Sequence, residues 1–399
     1  MVDFPDFTIE QLSADESLRA ELFPIVKARN FLAHAGVTSL PKVATDAMTW
    51  FGARAQTNHQ ESGDTLRIVD GVRQSAADLI GAGKDEIALL GPTALGLNMI
   101  SDGISWKAGD EVVFYRDDYP ANVYPWRKLK SQGVNPVAIV TESQGVITWE
   151  VLEPYLNERT KLVSLATANF LTGFRVDIDD IGRRLHERGI LFCVDGIQTL
   201  AAFPFTVEHV DFLSADSHKW MLGPMGAGIV YIDREKFDVC EPTLLGSWNV
   251  VSPNFIAQEE IDYYAGARRY EPGSLNLPGI FAMGAALNLL LQVGIDQVGA
   301  TILDHRQYLI SAMEDAGWRL YFKDSPQDGD DWKSGIITFR VPAGNERELV
   351  QTLEEAKISV SVRHDRAGDV FMRASPHFYN TRKELDELVE VCRGFQHSF

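Results

Sequence analysis

The sequence predicts an α/β protein in two parts, a large domain organised around a sheet and a smaller α+β domain that follows it. Three observations carry this expectation. The chain has 399 residues, about twice a typical domain. Over its first two thirds, short β-branched runs alternate with stretches long enough for a helix. After Leu277 that alternation gives way to a different pattern.

Taken in order, the candidate strands are Glu86–Leu90, Val112–Tyr115, Val137–Val140, Leu162–Ala166, Ile190–Val194, Phe212–Ala215 and Ala227–Ile232. They are apolar almost throughout, as strands are when helices cover both faces of their sheet. Helical character is clearest after Thr93 and in DIDDIGRRLHERG after Phe174. In the tail, an apolar helix starting near Pro278 leads to a helix around Asp304–Ala316. Strands near Ile336–Val341, Ile358–Val362 and Val370–Arg373 follow, then a closing helix over Arg382–Phe395. The expected divisions are an N-terminal segment at 1–30, a large domain at 31–277, and a connecting helix with the small domain at 278–399. The evenly apolar stretch, Ile280 to Ile295, is too short to span a bilayer.

Composition narrows the function. Hydrophobic residues make up 45% and charged residues 23%, near the averages for soluble globular proteins. The balance of 37 Lys+Arg against 56 Asp+Glu leaves −19, a charge that repels phosphate backbones and anionic surfaces. Neither nucleic acid nor a membrane is expected as a partner. Cys193, Cys240 and Cys392 are far apart with no CxxC spacing, so neither a disulfide framework nor a metal site is expected. With an acidic N-terminus that lacks a basic-then-apolar pattern, this predicts a cytoplasmic protein. Nucleotide signatures are absent: the Gly81-Ala-Gly83-Lys84 run lacks the first glycine and the Ser/Thr of a P-loop, and GPMGAG (223–228) has the wrong spacing for a dinucleotide fingerprint.

One constellation stands out. VDGIQ (194–198) ends an apolar strand, and SHKW (217–220) follows close behind, ahead of a Gly/Pro-rich turn. Ligands of open α/β sheets collect at the carboxyl ends of strands, which brings Asp195 and Lys219 to one crevice. Singly, Asp195 reads as well as a helix N-cap and Lys219 as a solvated surface lysine. Together they suit pyridoxal phosphate, which needs a lysine for its Schiff base and an acid to keep its ring nitrogen protonated. The third feature is LLGPTALGLN (89–98), a strand that stops at Gly-Pro and opens a helix. Free N–H groups there make an anion site, and Thr93, the amides of Ala94 and Leu95, and His218 are the candidate donors. The helix dipole alone supplies only about 0.3–1 kcal/mol, so several donors are needed.

On these residues the chain resembles the class V aminotransferase family of fold-type I pyridoxal-phosphate enzymes, which includes cysteine desulfurases, selenocysteine lyases, isopenicillin N epimerases and kynureninase. The resemblance runs from FLAHAGVTSLP (31–41) to MRASPHFYNT (372–381). It implies a seven-stranded, mostly parallel sheet in the large domain. It further implies Lys219 as the Schiff-base lysine, Asp195 as partner of the pyridine nitrogen, Gln198 as a donor to the phenolic oxygen, and Tyr119 stacked over the ring. Asn169 would lie near that oxygen or the substrate carboxylate, and Arg373 would hold the α-carboxylate in its guanidinium fork. Gly273 and Ser274 would reach the phosphate of a neighbouring subunit, which implies a homodimer with shared active sites.

Two departures limit the transfer. Where many relatives place a phosphate-binding serine, this chain has Asp216, so either Ser217 takes over or Asp216 points elsewhere. The stretch before Arg373, VSVRHDRAGDVFMR (360–373), has no cysteine, which disfavours the persulfide chemistry of a desulfurase. The expected activity is therefore at the α-carbon of a small amino acid, by transamination or β-elimination. Epimerisation is the alternative, and a non-catalytic scaffold that binds the cofactor is the alternative of another class.

Overall fold

A computed structural model describes residues 4–322, 329, 331–341 and 344–396. Its large sheet contains β1 (Ile87–Ala88), β2 (Glu111–Tyr115), β3 (Asn135–Ile139), β4 (Thr160–Ala166), β5 (Leu191–Asp195), β6 (Phe212–Asp216) and β7 (Gly228–Ile232). The order across the sheet is β1-β7-β6-β5-β4-β2-β3, and β7 alone runs against its neighbours. This is the α/β fold of seven mostly parallel strands that the sequence predicts. Adjacent residues of one strand bury into different cores: Val113, Val163 and Val194 into one, Val112, Leu162 and Cys193 into another. Both faces are therefore covered, which is why the strands are apolar without alternation. Strand β3 holds Pro136 because it is an edge strand, where a missing N–H costs no ladder bond on its open side.

The chain runs outward from β2 to β3 in one direction and from β4 through β5 to β6 in the other. A crevice opens at the carboxyl ends where the direction reverses. The helix Thr93–Gly103 packs against this region across β6. Gly96 makes that approach close enough, since a Cβ there would fall 2.3 Å from the Ser214 hydroxyl.

The apolar helix expected from Pro278 spans Leu277–Val293 and is buried among the large domain's helices. No single described helix is long and apolar enough to cross a membrane. The next helix, Ile295–Asp315, begins earlier than the sequence suggests, because Gly294 at φ 91° turns the chain and the helix restarts at once. The small domain carries an antiparallel sheet of β8 (Ile337–Arg340), β9 (Ser361–His364) and β10 (Val370–Ala374), ordered β9-β10-β8. The run expected as one strand over Ile358–Val362 is divided. Ile358–Ser359 pairs in parallel with Asn30–Phe31, and Ser361 begins β9. The segment around residues 30–36 is thereby strapped to the small domain, with Ala33 bridging Ser375.

Candidate active site

A cleft of about 360 Å³ lies at the carboxyl ends of the large sheet, closed on one side by the small sheet. Thr93 and Ala94 enter from the helix after β1, Tyr119 from the turn after β2, Phe170 from the loop after β4, Asp195 from the end of β5, and Lys219 from the turn after β6. Gln198 and His218 also line it, as does Arg373 from β10. Residues separated by up to 338 positions, from Ala35 to Arg373, thus converge on one cleft.

Lys219 is 7% exposed, with its Nζ 5.4 Å from the centre of the Tyr119 ring. Burial, together with the Arg373 and Arg363 charges, lowers its pKa to about 8 against the pull of Asp195. A lysine in that state supplies a neutral amine near neutral pH, as a nucleophile and base must. Asp195 is buried, which raises its pKa, while the Ile197 amide and Lys219 favour its ionised form. Gln198 is clasped between Ala35 and Trp220: its Nε2 donates to the Ala35 carbonyl and its Oε1 accepts from the indole.

The anion end is organised by Asp216. Its carboxylate accepts from the amides of Ser217 and Gly226 and from Nδ1 of His218 at 2.8 Å. It therefore points into its own turn and does not face an incoming phosphate. Thr93 Oγ1 accepts from the Asp216 amide at 2.8 Å, which leaves the hydroxyl proton to donate outward.

Five expected contributors are not among the residues lining this cleft. The Leu95 amide already donates to the Pro92 carbonyl. The Ser217 hydroxyl donates to the Pro224 carbonyl and so is turned into its own loop. Asn169 turns its Oδ1 back onto the amides of Leu171 and Thr172, capping its own loop. Ser274, with Gly273 beside it, lies at a separate surface hollow near Asn58 and His59. Conversely, the cleft contains Ala35, Gly36, Val37, Ser361 and Arg363, which the sequence reading did not single out. A strand-period signal was available for Arg363. Ser361 pairs with Arg373 across β9 and β10, so Arg363, two residues on, shares its face.

Arg373 is 1% exposed, donates through Nη1 to the Phe170 carbonyl, and leaves Nε and Nη2 without a partner. Its pKa is held well below the ordinary value by burial and then by Arg363. A buried guanidinium with two free donors in a cleft is a receptor for a carboxylate. The three cysteines are all buried, and none lines the cleft. Burial raises the pKa of Cys240 and Cys392 to about 12 and that of Cys193 well above the ordinary thiol value. This donor set fits pyridoxal phosphate: a buried amine, a buried acid, a hydroxyl and helix-start amides for the phosphate, and an unsatisfied cation for a substrate anion.

The family model for aminotransferase class-V matches residues 30–388. A probable cysteine desulfurase of Methanothermobacter thermautotrophicus is 26% identical over 94% of this chain and 96% of its own length. The solved cysteine desulfurase of Thermococcus onnurineus superposes with a TM-score of 0.88 at 21% identity, covering 100% of both chains. A structure of a cystine C-S lyase with cysteine persulfide as its reaction product superposes with a TM-score of 0.83 at 22% identity, covering 93% of this chain and 99% of the other.

Proposed function

The chain belongs to the class V aminotransferase family of pyridoxal-phosphate enzymes, and from that premise we propose that it removes a β-substituent from a small amino acid by direct elimination, with no cysteine persulfide on the enzyme. The observation that carries this is the content of the cleft. It holds Lys219, Asp195 and Arg373 around one space, with no thiol among its lining residues. The likeness to a cystine C-S lyase supports the same reading.

In this proposal Thr93, Ala94 and His218 hold the phosphate, Asp195 and Gln198 hold the ring, and Tyr119 covers it. The bound cofactor supplies an electron-withdrawing ring that accepts the electron pair released at the α-carbon. Arg373 binds the substrate carboxylate and so fixes which α-bond faces Lys219. The Lys219 amine takes the α-proton, and its depressed pKa leaves it able to return that proton to the departing group. Asp195 keeps a negative charge in place to hold a proton on the ring nitrogen. Burial excludes water from the reacting face.

Ser274, absent from the cleft of its own chain, is proposed to reach the phosphate of a partner in a homodimer. Sedimentation should then show a dimer, and a fully active monomer would refute the shared site.

The deciding experiment is turnover with cysteine and cystine. Sulfide or a free persulfide, pyruvate and ammonia are expected, with activity kept after separate Cys193→Ala, Cys240→Ala and Cys392→Ala substitutions. A persulfide on any of the three, or a keto acid formed with the substrate's side chain intact, would overturn the proposal.

A further inference from the structure

We infer that Arg363 is a specificity-determining residue that receives a second oxyanion on the substrate. The favoured amino acid then carries a carboxylate, sulfinate or sulfonate at the end of a short side chain. The inference rests on the reading above, in which Arg373 takes the α-carboxylate.

Arg363 and Arg373 project from adjacent strands onto one face and line the same cleft. Neither makes an ion pair with a carboxylate among the described residues, although the chain carries 56 acidic side chains. The contrast lies within the same small domain: Arg340 pairs with Asp369 and Arg366 with Asp117, both away from the cleft. Arg363 itself donates through Nη1 only to the Val362 carbonyl.

One α-carboxylate brings one negative charge to this wall. In the reading above, the cofactor's phosphate would take its donors from Thr93, Ala94 and His218, which line the cleft. With a neutral side chain on the substrate, one of two half-buried or buried guanidinium groups would stay without a counter-charge, an unfavourable arrangement in a closed site. A second oxyanion removes that imbalance, and a pair of its oxygens can accept both donors of a guanidinium fork. Gly36 keeps the space open. A Cβ there would stand 3.0 Å from the Ser361 hydroxyl and 3.6 Å from Arg363 Nη2, so any larger side chain would occupy the approach to the guanidinium.

The test is binding of succinate and butyrate to the holoenzyme, measured by calorimetry and by the shift of the visible absorption band. The two ligands have the same carbon count and differ in one terminal carboxylate. Succinate is expected to bind at least about tenfold more tightly, the equivalent of about 1.4 kcal/mol. Arg363→Gln should bring the two affinities within about threefold, and Arg363→Lys should restore part of the preference. Equal affinities in the unmodified enzyme would overturn the inference. So would an Arg363→Gln variant that weakens both ligands in proportion, which would place the guanidinium on the α-carboxylate, or one that loses the cofactor, which would place it on the phosphate. Failure of the cofactor reading has a separate signature, the absence of a borohydride-fixed label on Lys219.

Discussion

The two walls of the cleft are built on opposite plans. On the large-domain side three of the framing side chains are held by the protein itself: Asp216 by His218 and two amides, Thr93 by the Asp216 amide, Gln198 between Ala35 and Trp220. On the small-domain side stand two guanidinium groups with no carboxylate partner among the described residues, one of them with two orphaned donors. A wall whose side chains are locked by protein partners holds one geometry whether or not a ligand is present. A wall with unmatched charge is instead completed by what binds to it. The difference separates a surface for a resident group from a surface for a transient one.

The largest test of this contrast is Lys219→Ala. Turnover should fall by at least about 10⁴-fold, since both the nucleophile and the proton carrier are lost, while the cofactor still binds through the phosphate contacts. Equilibrium dialysis with the cofactor and a steady-state assay separate the two effects.

Asp195→Asn should lower kcat by about 10²–10³-fold with the fold intact, because an amide cannot hold the ring proton by charge. A rate near that of the parent enzyme would show that the ring nitrogen needs no anion.

Arg373→Met should divide function from stability. The kcat/KM for amino acids should drop by about 10²-fold, mostly through KM, as expected for the loss of two charge-assisted hydrogen bonds of about 1.5–3 kcal/mol each. The protein without its cofactor should melt higher, since replacing an uncompensated buried ion with an apolar chain often stabilises by about 1–4 kcal/mol. On the opposite wall Asp216→Ala should do the reverse and cost about 1–3 kcal/mol, because it leaves His218 and two amides without their acceptor. Chemical denaturation of both variants compares the walls directly.

The smallest effect is a titration. In cofactor-free protein, the rate of Lys219 modification by an amine-selective reagent should rise with pH through an inflection near 8, since only the neutral amine reacts. An inflection near that of an exposed lysine would mean that the amine is not held in a desolvated site.

The parts of this site that were legible in the sequence are those set by local order. Asp195, Gln198 and Lys219 sit at the end of a strand or a few residues beyond one, so locating the strands brings them to the crevice. The parallel sheet was legible for the same reason, because strands buried on both faces cannot hide their composition. Leu95, Asn169 and Ser217 were misplaced because a short polar group in a turn is captured by whichever backbone partner lies nearest, a choice of a few ångströms that motif spacing does not encode. The residues around Gly36 depend on a strand pairing made across most of the chain, Asn30–Phe31 with Ile358–Ser359, for which a single sequence holds no local signal.

Those distant pairings also give the molecule a schedule. Asn30 takes the Lys357 carbonyl and the Glu384 carbonyl, Arg19 pairs with Glu384, and His34 bonds to Ser375 and to the Tyr379 hydroxyl. The segment that forms one edge of the cleft is synthesised roughly 300 residues ahead of the partners that fix it. At about 5–20 residues per second, it waits on the order of tens of seconds before the groups that will fix it have been made. The large sheet can close in that interval, since all seven of its strands lie before residue 233. The binding cleft then takes shape only after the large sheet, and a nascent chain stalled before residue 357 would hold the seven strands of that sheet with an open, unselective mouth.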